Sequence, residues 1–142
     1  MKLQLNPYIM LDGNAQEAID FYEEALHAKV LFKQTIGEGP MNPEQPLTVR
    51  EQQLIAHAIL QIGESQIFVA DLIPGLQLQS GNQVTICITA DSKETSQQLY
   101  DALRVEGTVN IPLEPAYFSP AYGMVTDKYG VIFQIFTSRS AN

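Results

Sequence analysis

The chain of 142 residues lacks several features that define large classes of protein. No apolar run approaches the roughly 20 residues that a membrane-spanning helix needs, and the N-terminus has no apolar segment typical of a signal peptide. The single cysteine, Cys87, excludes a disulfide within the chain and is typical of the reducing cytoplasm. We therefore expect a cytoplasmic protein that does not interact with membranes.

Basic residues are also scarce. Eight lysines and arginines stand against 16 aspartates and glutamates, which gives a formal net charge of −8 at pH 7. Nucleic-acid binding by phosphate neutralisation needs a basic surface, so this class of partner is disfavoured. The negative charge favours solubility and attraction of cationic small ligands, although a solvated acidic surface is the simpler interpretation. The sequence contains no P-loop, GxGxxG, HExxH, GxSxG or CxxC motif.

The composition that remains is that of an ordinary globular protein, with 45% hydrophobic and 17% charged residues. Residues 6–26 contain the clearest local pattern, a short apolar strand over residues 7–11 followed by a turn and an amphipathic helix. Asn14 is predicted to cap this helix through its side chain, with Glu17 completing a capping box. The predicted buried residues of the helix are Ala15, Ala18, Ile19, Tyr22 and Leu26.

A similar pattern returns in the second half of the chain. A second helix is predicted after Asp91 or Ser92, either of which can cap it, and Gly107 is predicted to end it. Residues 37–46 are rich in glycine and proline and predict a mobile loop, whereas residues 73–82 predict a linker. The other predicted strands cover residues 30–36, 54–62, 66–70, 84–90, 108–113, 122–126 and 131–137.

This order predicts an α+β fold made of two βαβββ modules. Module one covers residues 1–72 and module two covers residues 83–142, so the chain forms one domain with an internal repeat. We expect one helix to cover one face of each curved, mixed sheet, while the other faces enclose a cleft.

Several stretches of the sequence resemble the PhnB-like branch of the vicinal oxygen chelate superfamily, which contains glyoxalase I, extradiol dioxygenases and bleomycin-resistance proteins. The stretches that carry this resemblance are residues 6–8, 12–15, 18–26, 57–58 and 122–131. The resemblance implies paired βαβββ modules around a cleft and a homodimer. It leaves open whether the modules pair within one chain or are exchanged between chains.

Metal-dependent members of this superfamily hold an ion with four ligands, one from each of four strands. The resemblance puts the four ligand positions near Pro7, at His57, at or beside Thr85, and at Gln134. Pro7 has no side-chain donor and Thr85 is a poor neutral ligand, whereas a catalytic divalent site normally needs about three strong protein ligands. We therefore expect a degenerate metal site and no cofactor; any divalent ion would be held by His57 and Gln134.

Strand alternation places the candidate ligand contacts on the sheet faces that point away from the helices. These candidates are His57, Ile59, Gln61, Thr85, Gln134 and Phe136. The sequence thus predicts a small-molecule-binding protein, with a metal-dependent lyase, isomerase or dioxygenase as the alternative. Relatives in this branch are sometimes labelled demethylubiquinone methyltransferases, but the sequence has no glycine-rich nucleotide loop that would favour this activity.

Two further groups have open interpretations. The aromatic residues Tyr117, Phe118 and Tyr122 form either a binding rim or part of the core or a dimer contact. Cys87 alternates onto the predicted cleft face. Because no activating base is evident beside it, we interpret this cysteine as a small apolar filler.

Overall fold

The structure, a computed structural model, describes residues 1–139. The chain forms two compact units, unit 1 spanning Met1–Gln79 and unit 2 beginning at Ser80. The elements of unit 1 are β1 (Tyr8–Leu11), α1 (Ala15–Ala25), β2 (Lys29–Thr35), a 3₁₀ turn (Ile36–Glu38), α2 (Val49–Gln53), β3 (Ile55–Ile62) and β4 (Ser65–Asp71). Those of unit 2 are β5 (Ile86–Ala90), α3 (Lys93–Leu103), β6 (Thr108–Ala116), β7 (Ser119–Thr126) and β8 (Ile132–Thr137).

Each unit contains a four-stranded mixed sheet with the same topology. The strand orders are β1-β4-β3-β2 and β5-β8-β7-β6. In both sheets the first strand of the unit pairs in parallel with its last strand, and the remaining pairs are antiparallel. The predicted α+β fold with two βαβββ modules is therefore confirmed.

The core of each unit lies between its long helix and one face of its sheet. All residues predicted to be buried in α1 are buried, and α3 buries the residues predicted for it, Ser96, Leu99, Tyr100 and Leu103. On β3, Ala58 and Leu60 are buried while His57 and Ile59 are half-buried. This alternation separates a helix-covered face from a second face, which we call the open face of the sheet.

The predicted side-chain cap of α1 is wrong. Asn14 is the N-cap residue, but within residues 1–139 its side chain makes no capping hydrogen bond. The carboxylate of Asp71, at the end of β4, instead accepts hydrogen bonds from the backbone N–H groups of Gly13 and Ala15, at 2.9 and 3.0 Å. Its other oxygen accepts from Ile55 N–H at 2.8 Å. Asp71 therefore ties the start of α1 to the start of β3.

The interpretation of Gly107 as a helix-ending glycine is also wrong. Helix α3 ends at Leu103, and the left-handed backbone that follows it is at Glu106, with φ of 58°. Gly107 lies instead against the neighbouring strand, where an added methyl group would be 2.3 Å from the carbonyl oxygen of Thr126. Absence of a side chain is required there for close approach of two backbones.

Other boundaries differ from the prediction in smaller ways. Helix α2 follows the glycine- and proline-rich loop and begins at a capping box formed by Thr48 and Glu51. Strands β6 and β7 extend into the segment between the predicted strands 108–113 and 122–126 and leave only a tight hairpin connection. In residues 1–139 there is no helix of the length and apolar character needed to traverse a bilayer.

Candidate functional site

The open face of unit 1 brings together side chains from β1 and β3. Tyr8 in β1 pairs in register with Phe68 in β4, and β4 separates Tyr8 from His57 in β3. Across β4, the Tyr8 hydroxyl lies 2.8 Å from His57 Nδ1, which is hydrogen-bond distance. The histidine predicted to contact a ligand is therefore oriented by a tyrosine hydroxyl.

Aromatic rings surround this histidine. The ring centroid of Phe68 lies 5.1 Å from that of His57 and 5.6 Å from that of Tyr8, with edge-to-face geometry in both pairs. Phe32, in β2, lies 6.2 Å from His57. Tyr8 and Phe32 keep 47% and 45% of their surfaces exposed, so the group is accessible from solvent. We refer to Tyr8, Phe32, His57 and Phe68 as the His57 cluster.

The imidazole of His57 has one nitrogen left for another molecule. Nδ1 is engaged by Tyr8, whereas Nε2 has no hydrogen-bond partner among residues 1–139. Ile59 pairs with both Phe68 and Phe32 and forms the apolar floor next to the cluster. Gln61 lies farther along β3, where its amide nitrogen donates to the carbonyl oxygen of Gly63 at 2.7 Å and braces the hairpin.

The open face of unit 2 carries a chain of polar side chains. Tyr122 Oη donates to Gln134 Oε1 at 2.5 Å, and Gln134 Nε2 donates to Thr85 Oγ1 at 2.8 Å. Phe136 pairs with Tyr122 across the two strands. The ring of Phe118 stacks on that of Phe136, with 6.1 Å between the ring centroids and a 7° angle between the ring planes. The predicted residues Thr85, Gln134 and Phe136 are therefore neighbours on one face.

His57 of unit 1 and Tyr122 of unit 2 occupy equivalent positions in the repeat. Phe68 and Gln134 correspond, because each lies in the last strand of its unit between the first and third strands. In β3, His57 lies two residues before Ile59, which pairs with Phe68. In β7, Tyr122 likewise lies two residues before Met124, which pairs with Gln134. Each sheet thus carries, on its open face, a hydrogen bond between a tyrosine hydroxyl and another side chain.

The residues at the implied metal-ligand positions do not fit a divalent ion. The first position lies near Pro7, which has no side-chain donor, and the neighbouring Tyr8 hydroxyl contacts His57. At the third position, Thr85 Oγ1 already accepts a hydrogen bond from Gln134. In the described part of the chain no group of three His, Cys, Asp or Glu side chains is placed to hold a metal. Phenol, imidazole, hydroxyl and amide groups without a carboxylate are a weak donor set for a catalytic divalent site.

Cys87 lies on the open face of unit 2, where it pairs with Gln134. Desolvation by the surrounding protein raises the pKa of its thiol above the ordinary value of 9.0, and a hydrogen bond with Thr89 offsets part of this effect. The thiol form is therefore favoured at neutral pH. The side chain of Cys87 is nevertheless exposed, so the interpretation of this cysteine as an apolar filler is wrong.

We expect the raised pKa of Cys87 to control its alkylation. With iodoacetamide at pH 7, Cys87 should react several-fold more slowly than glutathione, and its rate should rise about tenfold per pH unit until the pH exceeds 9. Mass spectrometry of the intact protein gives the rate directly, because the chain has one cysteine. A rate that levels off below pH 8 would contradict the raised pKa.

Sequence reasoning missed three contributors to these faces, namely Tyr8, Phe32 and Phe68. Strand alternation contained the necessary signal for Tyr8, since Ile9 and Leu11 are buried and Tyr8 must then point to the opposite face. The pairing of β1 with β4 was needed to bring Tyr8 next to His57, and no local pattern specifies that pairing.

The comparison with known families decides the classification. The model of the family described as 3-demethylubiquinone-9 3-methyltransferase matches residues 3–136. The chain belongs to this family. Its placement in the PhnB-like branch of the glyoxalase/bleomycin-resistance/dioxygenase superfamily, expected from the sequence, is confirmed.

The chain is also similar to individual known proteins over nearly its whole length. Protein YjdN of Escherichia coli strain K12 is 29% identical over 140 residues, which cover 94% of this chain and 94% of YjdN. The crystal structure of PA1353 from Pseudomonas aeruginosa is 27% identical, with a TM-score of 0.86 over 98% of this chain and 100% of that chain. A glyoxylase/bleomycin resistance protein/dioxygenase domain from Frankia is 11% identical and shares the fold, with a TM-score of 0.70 over 100% of this chain and 96% of that domain.

Proposed function

We propose that this protein binds a small molecule on the open face of unit 1, against the His57 cluster. The observation that carries this proposal is the Nε2 atom of His57, which has no partner among residues 1–139 although its ring packs against Phe32 and Phe68. Small-molecule sites typically combine apolar and aromatic walls with a few well-oriented polar groups. Ile59 extends the apolar surface beside the cluster, and Gln61 stands at its end.

We propose separately that Thr85, Gln134 and Phe136 contact a ligand on the open face of unit 2. Their open face has the same character, because the polar chain through Gln134 is bordered by the stacked rings of Phe118 and Phe136. We also propose that binding needs no resident metal, since His57, Thr85 and Gln134, at the implied ligand positions, already make hydrogen bonds with other side chains.

We further propose a cytoplasmic homodimer. The exposed apolar side chain of Leu31, on the edge strand β2, supports self-association of this kind. The molar mass from light scattering during size-exclusion chromatography checks this assembly.

Ligand binding is tested by a thermal-shift screen with one active variant and one matched control. His57→Phe keeps an aromatic ring in the cluster but removes both nitrogens, and it should weaken the ligands found with the unmodified protein by about 10–100-fold. His27→Asn changes the other histidine, which is exposed and has a left-handed backbone that asparagine tolerates, so affinities should not change.

The same variants distinguish the binding proposal from a metal-dependent lyase, isomerase or dioxygenase. Purified protein is loaded with Zn, Ni, Mn or Fe, and its metal content is measured by elemental analysis. One tightly held ion per chain that is lost in His57→Phe would overturn the metal-free proposal. Equal ligand affinities in the unmodified protein, His57→Phe and His27→Asn would show that His57 does not contribute to the binding site.

A further inference from the structure

The contact between Tyr8 and His57 determines what the open face of unit 1 offers to a ligand. We propose that Tyr8 holds His57 in the tautomer with hydrogen on Nε2, so that this face presents a hydrogen-bond donor and selects aromatic ligands that carry a carbonyl or carboxylate oxygen. The choice of ligand rests on the binding function proposed above, whereas the tautomer of His57 depends on the protein alone.

The direction of the hydrogen bond follows from the chemistry of the two groups. A neutral imidazole has one N–H donor and one nitrogen that accepts. Imidazole nitrogen is a much stronger base than a phenol oxygen, whose lone pairs are delocalised into the ring. At the observed distance of 2.8 Å the favoured arrangement is therefore Tyr8 O–H donating to His57 Nδ1, which leaves the hydrogen on Nε2.

The opposite arrangement would use the weaker acceptor. If Nδ1 carried the hydrogen, it would donate to Tyr8 Oη, and both the phenol hydrogen and the Nε2 lone pair would lack a partner among residues 1–139. With the hydrogen on Nε2, the phenol hydrogen is used and the Nε2–H group is the remaining donor of the pair.

This tautomer disfavours metal binding at His57. A metal ion needs the lone pair of the coordinating nitrogen, and metal-binding histidines usually donate their other N–H to a carboxylate or carbonyl acceptor. Tyr8 offers a donor at that place, so coordination through Nε2 would require the hydrogen bond to reverse. Tyr8, next to the first implied ligand position near Pro7, therefore turns His57 from a metal ligand into a hydrogen-bond donor.

The aromatic residues of the same face favour an aromatic ligand. Phe32 and Phe68 border His57, with ring centroids 6.2 and 5.1 Å from that of the imidazole, and suit the flat apolar body of an aromatic molecule.

The tautomer is measured by long-range ¹⁵N–¹H correlation spectra of protein labelled at histidine. The chain has two histidines, and loss of one set of signals in His27→Asn assigns the other set to His57. We expect Nδ1 to show the shift of an unprotonated nitrogen and Nε2 that of a protonated one. Tyr8→Phe should produce a mixture of tautomers. A hydrogen on Nδ1, or a spectrum that Tyr8→Phe does not change, would overturn the inference.

Ligand choice is measured with two probes that share one ring, benzoate and benzylamine. Benzoate offers oxygen acceptors and should bind at least about tenfold more tightly, with the largest spectral change at His57 Nε2. The net charge of −8 would favour benzylamine, so a preference for benzoate identifies the local donor. Tighter binding of benzylamine would refute the proposed selectivity. A His57 spectrum that neither probe nor the broader screen changes would refute the binding function, whatever the tautomer.

Discussion

Asp71→Ala should lower the free energy of unfolding by roughly 3–5 kcal/mol, because hydrogen bonds to a charged group contribute about 1.5–3 kcal/mol each and do not add fully. The Asp71 carboxylate is 4% exposed and accepts from the N–H groups of Gly13, Ala15 and Ile55. Alanine would leave these N–H groups without their acceptor at the junction of β4, α1 and β3. Urea denaturation followed by circular dichroism measures the loss.

A second variant and a matched control isolate the role of this carboxylate. Asp71→Asn keeps one oxygen for the start of α1 but turns an NH₂ group towards Ile55 N–H, so its effect should be intermediate. Asp12→Ala removes an exposed carboxylate from the nearby turn and should change stability by less than about 0.5 kcal/mol. Comparable stabilities for Asp71→Ala and Asp12→Ala would show that the junction does not depend on Asp71.

Gly107→Ala should be destabilising by about 2–4 kcal/mol, since overpacking against atoms that cannot move aside costs about 1–3 kcal/mol or more. The added methyl group would lie 2.3 Å from the carbonyl oxygen of Thr126 and 3.1 Å from Cα of Asp127. Both are backbone atoms, so β6 and β7 would have to separate. The midpoint of thermal unfolding reports this change.

Gly81→Ala supplies the control for Gly107→Ala. In the described part of the chain, a methyl group added at Gly81 would meet no heavy atom within 4 Å, and Gly81 does not have the left-handed backbone that disfavours alanine. This variant should match the unmodified protein or gain up to about 1 kcal/mol through a less flexible unfolded chain. Equal midpoints for the two alanine variants would rule out the close backbone contact at Gly107.

Local sequence patterns predicted the elements of the fold but not the contacts that join them. The buried stripes of α1 and α3 and the alternation along β3 are short-range properties, and the structure confirms them. Asp71 caps α1 from 56 residues away from Ala15, so no window around the helix could identify it. Gly107 follows a helix and therefore resembled a helix-ending glycine. The structure shows that a glycine is needed there because the backbone of strand β7 lies too close for a side chain.

In the candidate site, too, the sequence predicted the local positions of residues but not the long-range contacts between them. Alternation and family resemblance placed His57 and Gln134 on the faces away from the helices, where the structure has them. Counting along the family pattern put the first ligand position near Pro7, which has no side-chain donor. The neighbouring side chain of Tyr8 reaches His57 only because β1 lies beside β4 and β4 beside β3. Such a pairing depends on the whole unit and is not encoded near residue 8.

The parallel pairing of first and last strands has a consequence for synthesis on the ribosome. Strand β1 and helix α1 are made first, but their strand partner and their capping carboxylate arrive only with β4, which ends at residue 71 of 142. Unit 2 repeats this delay, because β5 pairs with β8. Nascent chains that stop before β4 therefore expose the apolar side of α1, and each unit closes in a late step dominated by long-range contacts, which favours slow folding.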